Sequence, residues 1–238
     1  MIRLGINIDH IATIRNARGE GHPNIINSAK KIMKYGAHSI TVHLREDRRH
    51  IKDKDLIQLI KSKIPINLEM ASNKQMLKIA IKRKPKYVCL VPEKRKEITT
   101  EGGLNIKKNK NSIKMVIKKL NQNNIRTSLF INPNITDIKL SKFLGSNCVE
   151  LHTGKLSNLI KKNKKFIQEL KKIKKCVNFA NKHNLEVHAG HGIDYKTAKY
   201  LSKIRGISEF NIGHFIIGES INDGLLKVIK KFKKIINK

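Results

Sequence analysis

Residues 185–214 read LEVHAGHGIDYKTAKYLSKIRGISEFNIGH, and this stretch decides the fold. A short apolar run, Leu185–Ala189, ends on Gly190-His191-Gly192. The amphipathic segment Asp194–Ile204 follows, and a second short run, Glu209–Ile212, ends on Gly213-His214. Such brief runs suit buried parallel strands, and the segment between them suits a helical crossover.

The same unit recurs along the chain. Six earlier runs predict strands: Leu4–Ile8, Ser39–Val42, Ile66–Met70, Tyr87–Val91, Thr127–Ile131 and Cys148–Leu151. Helical spacing of apolar residues predicts helices at Asn24–Tyr35, Asp53–Lys63, Asn73–Arg83 and Ser112–Asn121. Further helices are expected from a cap at Thr136 to Leu144, as one long stretch over Ser157–His183, and from Asp223 to Ile236. Eight strands alternating with helices imply a single (β/α)8 TIM barrel over residues 1–238, with short extra helices. An open doubly wound sheet is disfavoured, because no G-x-G-x-x-G follows the first run.

Composition narrows the class. The chain has 238 residues, with 51 Lys and Arg against 18 Asp and Glu, a formal net charge of +33. The excess is Lys (41 against 10 Arg), whereas Arg is the residue suited to bidentate base reading. It lies in runs such as Lys161-Lys162-Asn163-Lys164-Lys165, which read as solvated helix faces, so no nucleic-acid partner is expected. No run of ~18 apolar residues predicts a membrane span, and the N-terminus turns polar too early for a signal peptide. Three cysteines without CxxC spacing argue for a reducing, cytoplasmic setting. No HExxH or other local ligand cluster appears, so no metal is expected.

Polar residues gather where the strands would end, which in such a barrel is the active-site face. The first run leads into Asn7, Asp9 and His10; the second into His43 and Arg45, with His50 beyond. The third carries Glu69, and the fourth runs into Pro92-Glu93-Lys94-Arg95 and then Thr99. Ser128 and Asn132 mark the fifth, Glu150 and His152 the sixth, and His188 with His191 the seventh. Asn211, Gly213 and His214 complete the ring. Scattered surface positions would not produce this set. Asn7 and Asp9 are two apart, as are His43 and Arg45, and such pairs share one face of an extended strand. The glycines at 190, 192 and 213 suit a phosphate site, with an extra helix starting near Phe215. Arg18 and Arg45 could meet a second anion.

Read together, these segments resemble the pyridoxine 5'-phosphate synthase family. The resemblance rests on Gly5-Ile6-Asn7-Ile8-Asp9-His10-Ile11-Ala12-Thr13, Val42-His43-Leu44-Arg45-Glu46-Asp47-Arg48-Arg49-His50 and Asn67-Leu68-Glu69-Met70-Ala71. It extends to Thr99-Thr100-Glu101-Gly102-Gly103-Leu104, Glu150-Leu151-His152-Thr153-Gly154, Ala189-Gly190-His191-Gly192 and Asn211-Ile212-Gly213-His214. It implies condensation of 1-deoxy-D-xylulose 5-phosphate with 3-amino-2-oxopropyl phosphate, without cofactor or metal, in a homo-octamer built from dimers. By motif it implies proton acceptors at His43 and Glu69, a proton donor at His191 and a transition-state stabiliser at Glu150. Asp9, His10, Arg45, His50 and Thr99 would hold the first substrate; Asn7, Arg18, Gly192, Gly213 and His214 would hold the second. The loop Glu93–Leu104 would act as a lid. His188, Asn132 and Glu219 depart from the family's pattern.

Overall fold

A computed structural model describes residues 1–93 and 102–237. Its core is one closed, all-parallel barrel in which the strands follow chain order: β1 (Arg3–Asn7), β2 (Ser39–His43), β3 (Ile66–Met70), β4 (Tyr87–Leu90), β5 (Arg126–Ile131), β6 (Cys148–His152), β7 (Glu186–Gly190) and β8 (Ile207–Ile212). Pairing of β1 with β8, Gly5 against Asn211, closes the ring. The predicted strands lie within a residue or two of these bounds.

Side chains alternate along each strand, and the barrel sorts them sharply. Leu4, Ile6, Ile40, Val42, Leu68, Val88, Leu129, Val149 and Val187 are fully buried within the apolar core. The intervening positions form a buried polar set: Ser39, Thr41, Asn67, Ser128, Glu150, His188, Glu209 and Asn211. They bond one another across strands, Asn67 to Thr41 (3.4 Å), Thr41 to Asn211 (3.3 Å) and Asn211 to Glu150 (2.7 Å). Barrel interiors are usually filled by Val, Ile and Leu, so this one is polar by comparison. Such bonds make the burial tolerable for these four side chains, whereas Ser39 Oγ, Ser128 Oγ and His188 Nδ1 have no hydrogen-bond partner among the described residues.

The helices form the outer layer: α1 (Asp9–Arg18), α2 (Ile25–Lys34), α3 (Asp53–Lys61), α4 (Lys74–Arg83), α5 (Lys110–Gln122), α6 (Ile135–Phe143), α7 (Gly154–Lys161), α8 (Ile167–Lys182), α9 (Tyr195–Leu201), α10 (His214–Asp223) and α11 (Leu225–Ile236). Short amide and carboxylate side chains start several of them. Asn24, Asn73, Asn134 and Asp194 each accept a hydrogen bond from a first-turn N–H of the helix that follows.

Three expectations are corrected. The stretch Ser157–His183 is two helices, α7 and α8, because Lys162 ends the first and Asn163 takes a left-handed φ of 50°. The cap of α6 is Asn134, not Thr136, whose own N–H donates to Asn134 Oδ1 at 2.8 Å. Asp9 does not extend β1 beside Asn7 but opens α1, where an acidic residue favours the helix N-terminus. No helix of the described residues is long and apolar enough to cross a membrane.

Candidate active site

A cavity of about 690 Å³ opens where the C-terminal ends of the strands meet. Asn7, His10, His43, Arg45, Glu69, Glu150, His191, Gly192, Gly213 and His214 all line it, as the strand-end reading expects. Asp9 and His50 support that wall from behind. Asp9 is buried; its carboxylate accepts from the His43 N–H at 2.9 Å and from Asn7 Nδ2 at 3.1 Å. His50 Nδ1 lies 2.8 Å from Thr13 Oγ1, its ring stacks 6.3 Å from His10, and His10 meets His214 edge-on at 5.0 Å. Arg18 does not join them. It ends α1, roughly 13 Å along the helix from Asp9, and its largely exposed side chain pairs with Glu20 at 3.2 Å. Thr99 and most of the expected lid lie outside the described residues. The far end of that loop is tied to β5, through Gly103 N–H on Asn132 Oδ1 (3.0 Å) and Leu104 N–H on Phe130 O (2.9 Å).

The titratable groups differ in environment. His43 is bracketed by carboxylates: Nε2 is 3.0 Å from Glu93 Oε1 and Nδ1 is 3.9 Å from Glu69 Oε2. Burial pushes Glu69 well above the usual carboxylate range, and Glu150 and Asp9 push it further. Burial also raises Glu150, to about 7, against the opposing pull of His188 and of the Asn211 amide. Glu93 goes the other way. Burial would raise it, but the hydrogen bonds from His43 and the Glu46 N–H outweigh that. Lost hydration, and then Lys161, hold the His191 imidazole below its ordinary value. Carboxyls and imidazoles with separated pKa values around one cavity can divide the roles of acid and base.

The turn after β7 is held in an unusual shape. His191 takes φ 72° and Gly192 φ 78°, while Thr153 Oγ1 lies 2.9 and 2.8 Å from the Gly190 and His191 carbonyls. The His191 ring stacks on His152 at 4.7 Å. Gly154 lets them approach, since a Cβ there would sit 2.7 Å from His152 Cε1 and 2.9 Å from His191 Cδ2. The expected extra helix is α10, starting at His214 directly after Gly213. Its N-terminal turn and Gly192 face the same cavity, an arrangement suited to an anion.

Among the described residues, Asp9, His43 and Glu69 bring one potential ligand atom each within 4.8 Å of one another. They come from separate βα units, so local spacing gave no sign of them. Their atoms are already engaged with Asn7, the His43 N–H and Glu93.

Comparison with known proteins decides the family. The profile described as "Pyridoxal phosphate biosynthesis protein PdxJ" matches residues 4–238. The chain belongs to the PdxJ family. It is 61% identical to the pyridoxine 5'-phosphate synthase of Pelagibacter ubique (strain HTCC1062), with 100% of both chains covered. It is 48% identical to the synthase of Zymomonas mobilis, covering 99% of this chain and 92% of that one. Solved structures share the barrel at low identity. A 3-hexulose-6-phosphate synthase superposes with TM-score 0.67 at 15% identity, covering 99% and 100% of the two chains. A thiamine phosphate pyrophosphorylase from Pyrococcus furiosus gives 0.65 at 12%, covering 99% and 96%.

Within this PdxJ chain, two site residues carried no role in the sequence reading. The strand-end rule named Glu93 in the Pro92-Glu93-Lys94-Arg95 run, but gave it no role beyond the start of the expected lid. Lys161 lines the cavity from α7, although its Lys-rich run reads as a solvated face. No sequence signal separates it from its neighbours.

Proposed function

We propose that this chain is a single catalytic barrel over residues 1–238 that condenses 1-deoxy-D-xylulose 5-phosphate with 3-amino-2-oxopropyl phosphate. The products would be pyridoxine 5'-phosphate, inorganic phosphate and water. One observation carries the reading beyond the family name: His43, Glu69, Glu150 and His191 face one cavity with differently tuned environments. Joining an amine to a ketone, expelling phosphate and water, and aromatising a ring all need repeated proton transfers.

In this reading His43 and Glu69 accept protons and His191 donates one. Glu150 stabilises charge in the transition state. Gly192, Gly213, His214 and Asn7 hold one phosphorylated substrate, with Lys161 adding charge. Arg45 and His10 hold the other, backed by Asp9 and His50. The family resemblance implies that no metal or organic cofactor takes part, and in this reading Asp9, His43 and Glu69 handle protons. The protein would act in the cytoplasm as a homo-octamer built from dimers, and exposed Phe143 and Ile221 offer apolar surface for such contacts.

The test is direct. Purified, chelator-treated protein receives both substrates, and pyridoxine 5'-phosphate and released phosphate are followed. Both should appear in equal amounts. No product overturns the reaction, and product only after metal is restored overturns the metal-free claim.

A further inference from the structure

The barrel floor holds a charged cluster that the proposed reaction does not use. Arg3 binds Glu186 and, through Nε, Glu209 at 2.8 Å, while Arg126 pairs with Glu186 at 2.5 Å. His188 sits between this cluster and the mouth. It is 5% exposed and stands directly beside Glu150 in the register of β6 and β7.

Both nitrogens of His188 face carboxylates. Nε2 is 3.1 Å from Glu186 Oε1, which calls for an N–H there. Nδ1 is buried, has no hydrogen-bond partner among the described residues and lies 3.9 Å from Glu209 Oε1. A bare lone pair aimed at a carboxylate is repelled; an N–H there is attracted. A neutral imidazole has one N–H and satisfies one side only, whereas the imidazolium satisfies both. The Arg3 guanidinium, 3.4 Å from Nε2, is already drawn to its own two carboxylates.

Charge balance points the same way. Two guanidiniums, Arg3 and Arg126, pair with Glu186 and Glu209, and Glu150 brings a further carboxyl beside His188. When Glu150 is ionised, a third cation next to it balances this cluster, and buried charges require such pairing. Around Glu150 the other groups are Asn211, which donates to Oε2 at 2.7 Å, and Glu69 and Cys89, whose ionisation Glu150 opposes. Cys148 lies beside Arg126, and His38 beside Glu209 and Arg3. His188 is thus the one cation-forming group set directly against Glu150 among these neighbours.

We propose that His188 is a positioning residue for Glu150: its imidazolium completes the charge balance of the cluster formed with Glu186, Glu209 and Glu150 and so governs whether Glu150 is ionised. The inference deepens the reading of Glu150 given above and rests on it for its catalytic meaning, but not for its test. Glu150 lowered by His188 is consistent with this.

Two readouts independent of turnover test it. In wild-type protein with ¹⁵N-labelled histidine, the His188 ring should carry protons on both nitrogens at pH values where Glu150 is ionised, with its signals assigned by their loss in His188→Asn. Infrared titration should follow the Glu150 carboxyl band, assigned by its loss in Glu150→Gln. In His188→Asn its midpoint should rise by about one pH unit. His188→Gln serves if His188→Asn does not fold. A neutral His188 throughout, or an unmoved Glu150 midpoint in a folded variant, overturns the proposal. Because neither readout needs substrate, a failure of the proposed reaction would leave these outcomes unchanged.

Discussion

His43 Nε2 lies 3.0 Å from Glu93 Oε1, and this contact fixes which ring nitrogen faces the neighbouring Glu69. Glu93 is held ionised by the bond and also accepts the Glu46 N–H at 2.8 Å. A carboxylate that orients an imidazole in this way sets its tautomer and steadies its positive charge. Glu93→Gln keeps the shape and removes the charge. Turnover should fall by about 10²-fold while the thermal midpoint of the barrel stays close to wild type. Near wild-type turnover would remove this orienting role.

The contact also shows where sequence reading ends. The barrel was legible because strand-length apolar runs recur eight times, and most of the cavity lining followed from the strand-end rule. That rule works residue by residue, so it located His43 and Glu69 without revealing that Glu93 joins them. Arg18 came from the family resemblance instead, and at the end of α1 its side chain is largely exposed and paired with Glu20. The break at Asn163 was hidden because Asn and Lys fit a helix interior and a left-handed stop alike in pattern. The charged floor was invisible for another reason: Arg3, Glu186 and Glu209 are far apart in sequence and meet only when the barrel closes.

His191 allows a clean test of a proton donor. Its φ of 72° would strain most side chains, but Asn tolerates the left-handed region. His191→Asn should therefore preserve the turn held by Thr153 and remove only the imidazole. Turnover should drop by about 10²–10⁴-fold, with KM changing far less. Glu69→Gln should show a similar loss. If either variant turns over normally, its assigned proton transfer is wrong.

Glu150 links the site to stability. Its folded pKa is raised to about 7 by burial, above the ordinary carboxylate value. The native state therefore holds its proton across a range in which the unfolded chain has lost it. Stability from this group is complete below the unfolded value and declines as pH rises towards about 7. The decline is about 3 kcal/mol by linkage. Denaturant unfolding at pH 4 and pH 8 should show wild type losing more stability than Glu150→Gln, which has no proton to lose. Equal losses would place the ionisation elsewhere.

Arg3 holds the barrel floor. Removing it leaves the buried Glu209 without its guanidinium and deprives Glu186 of one of two. An unpaired buried carboxylate is costly, but Arg3 is itself 38% exposed, so water compensates in part. Arg3→Met should cost about 2 kcal/mol, read as a lower denaturation midpoint. A midpoint equal to wild type would show that Glu209 finds adequate hydration without it.

Gly190 and Gly218 make a paired test of the space around Glu150. A Cβ on Gly190 would collide with Glu150 Oε1 and come within 3.4 Å of the Asn211 carbonyl. Gly190 lies in a strand without positive φ, so alanine fits the backbone and the strain falls on Glu150. That carboxylate is pinned by Asn211 at 2.7 Å and has little freedom to yield. Gly190→Ala should lower stability by about 1–3 kcal/mol and abolish most turnover. Gly218 in α10 has nothing within 4 Å of a Cβ, so Gly218→Ala should raise stability by roughly 1 kcal/mol and leave turnover intact. A functional Gly190→Ala enzyme would mean that Glu150 can work from a displaced position.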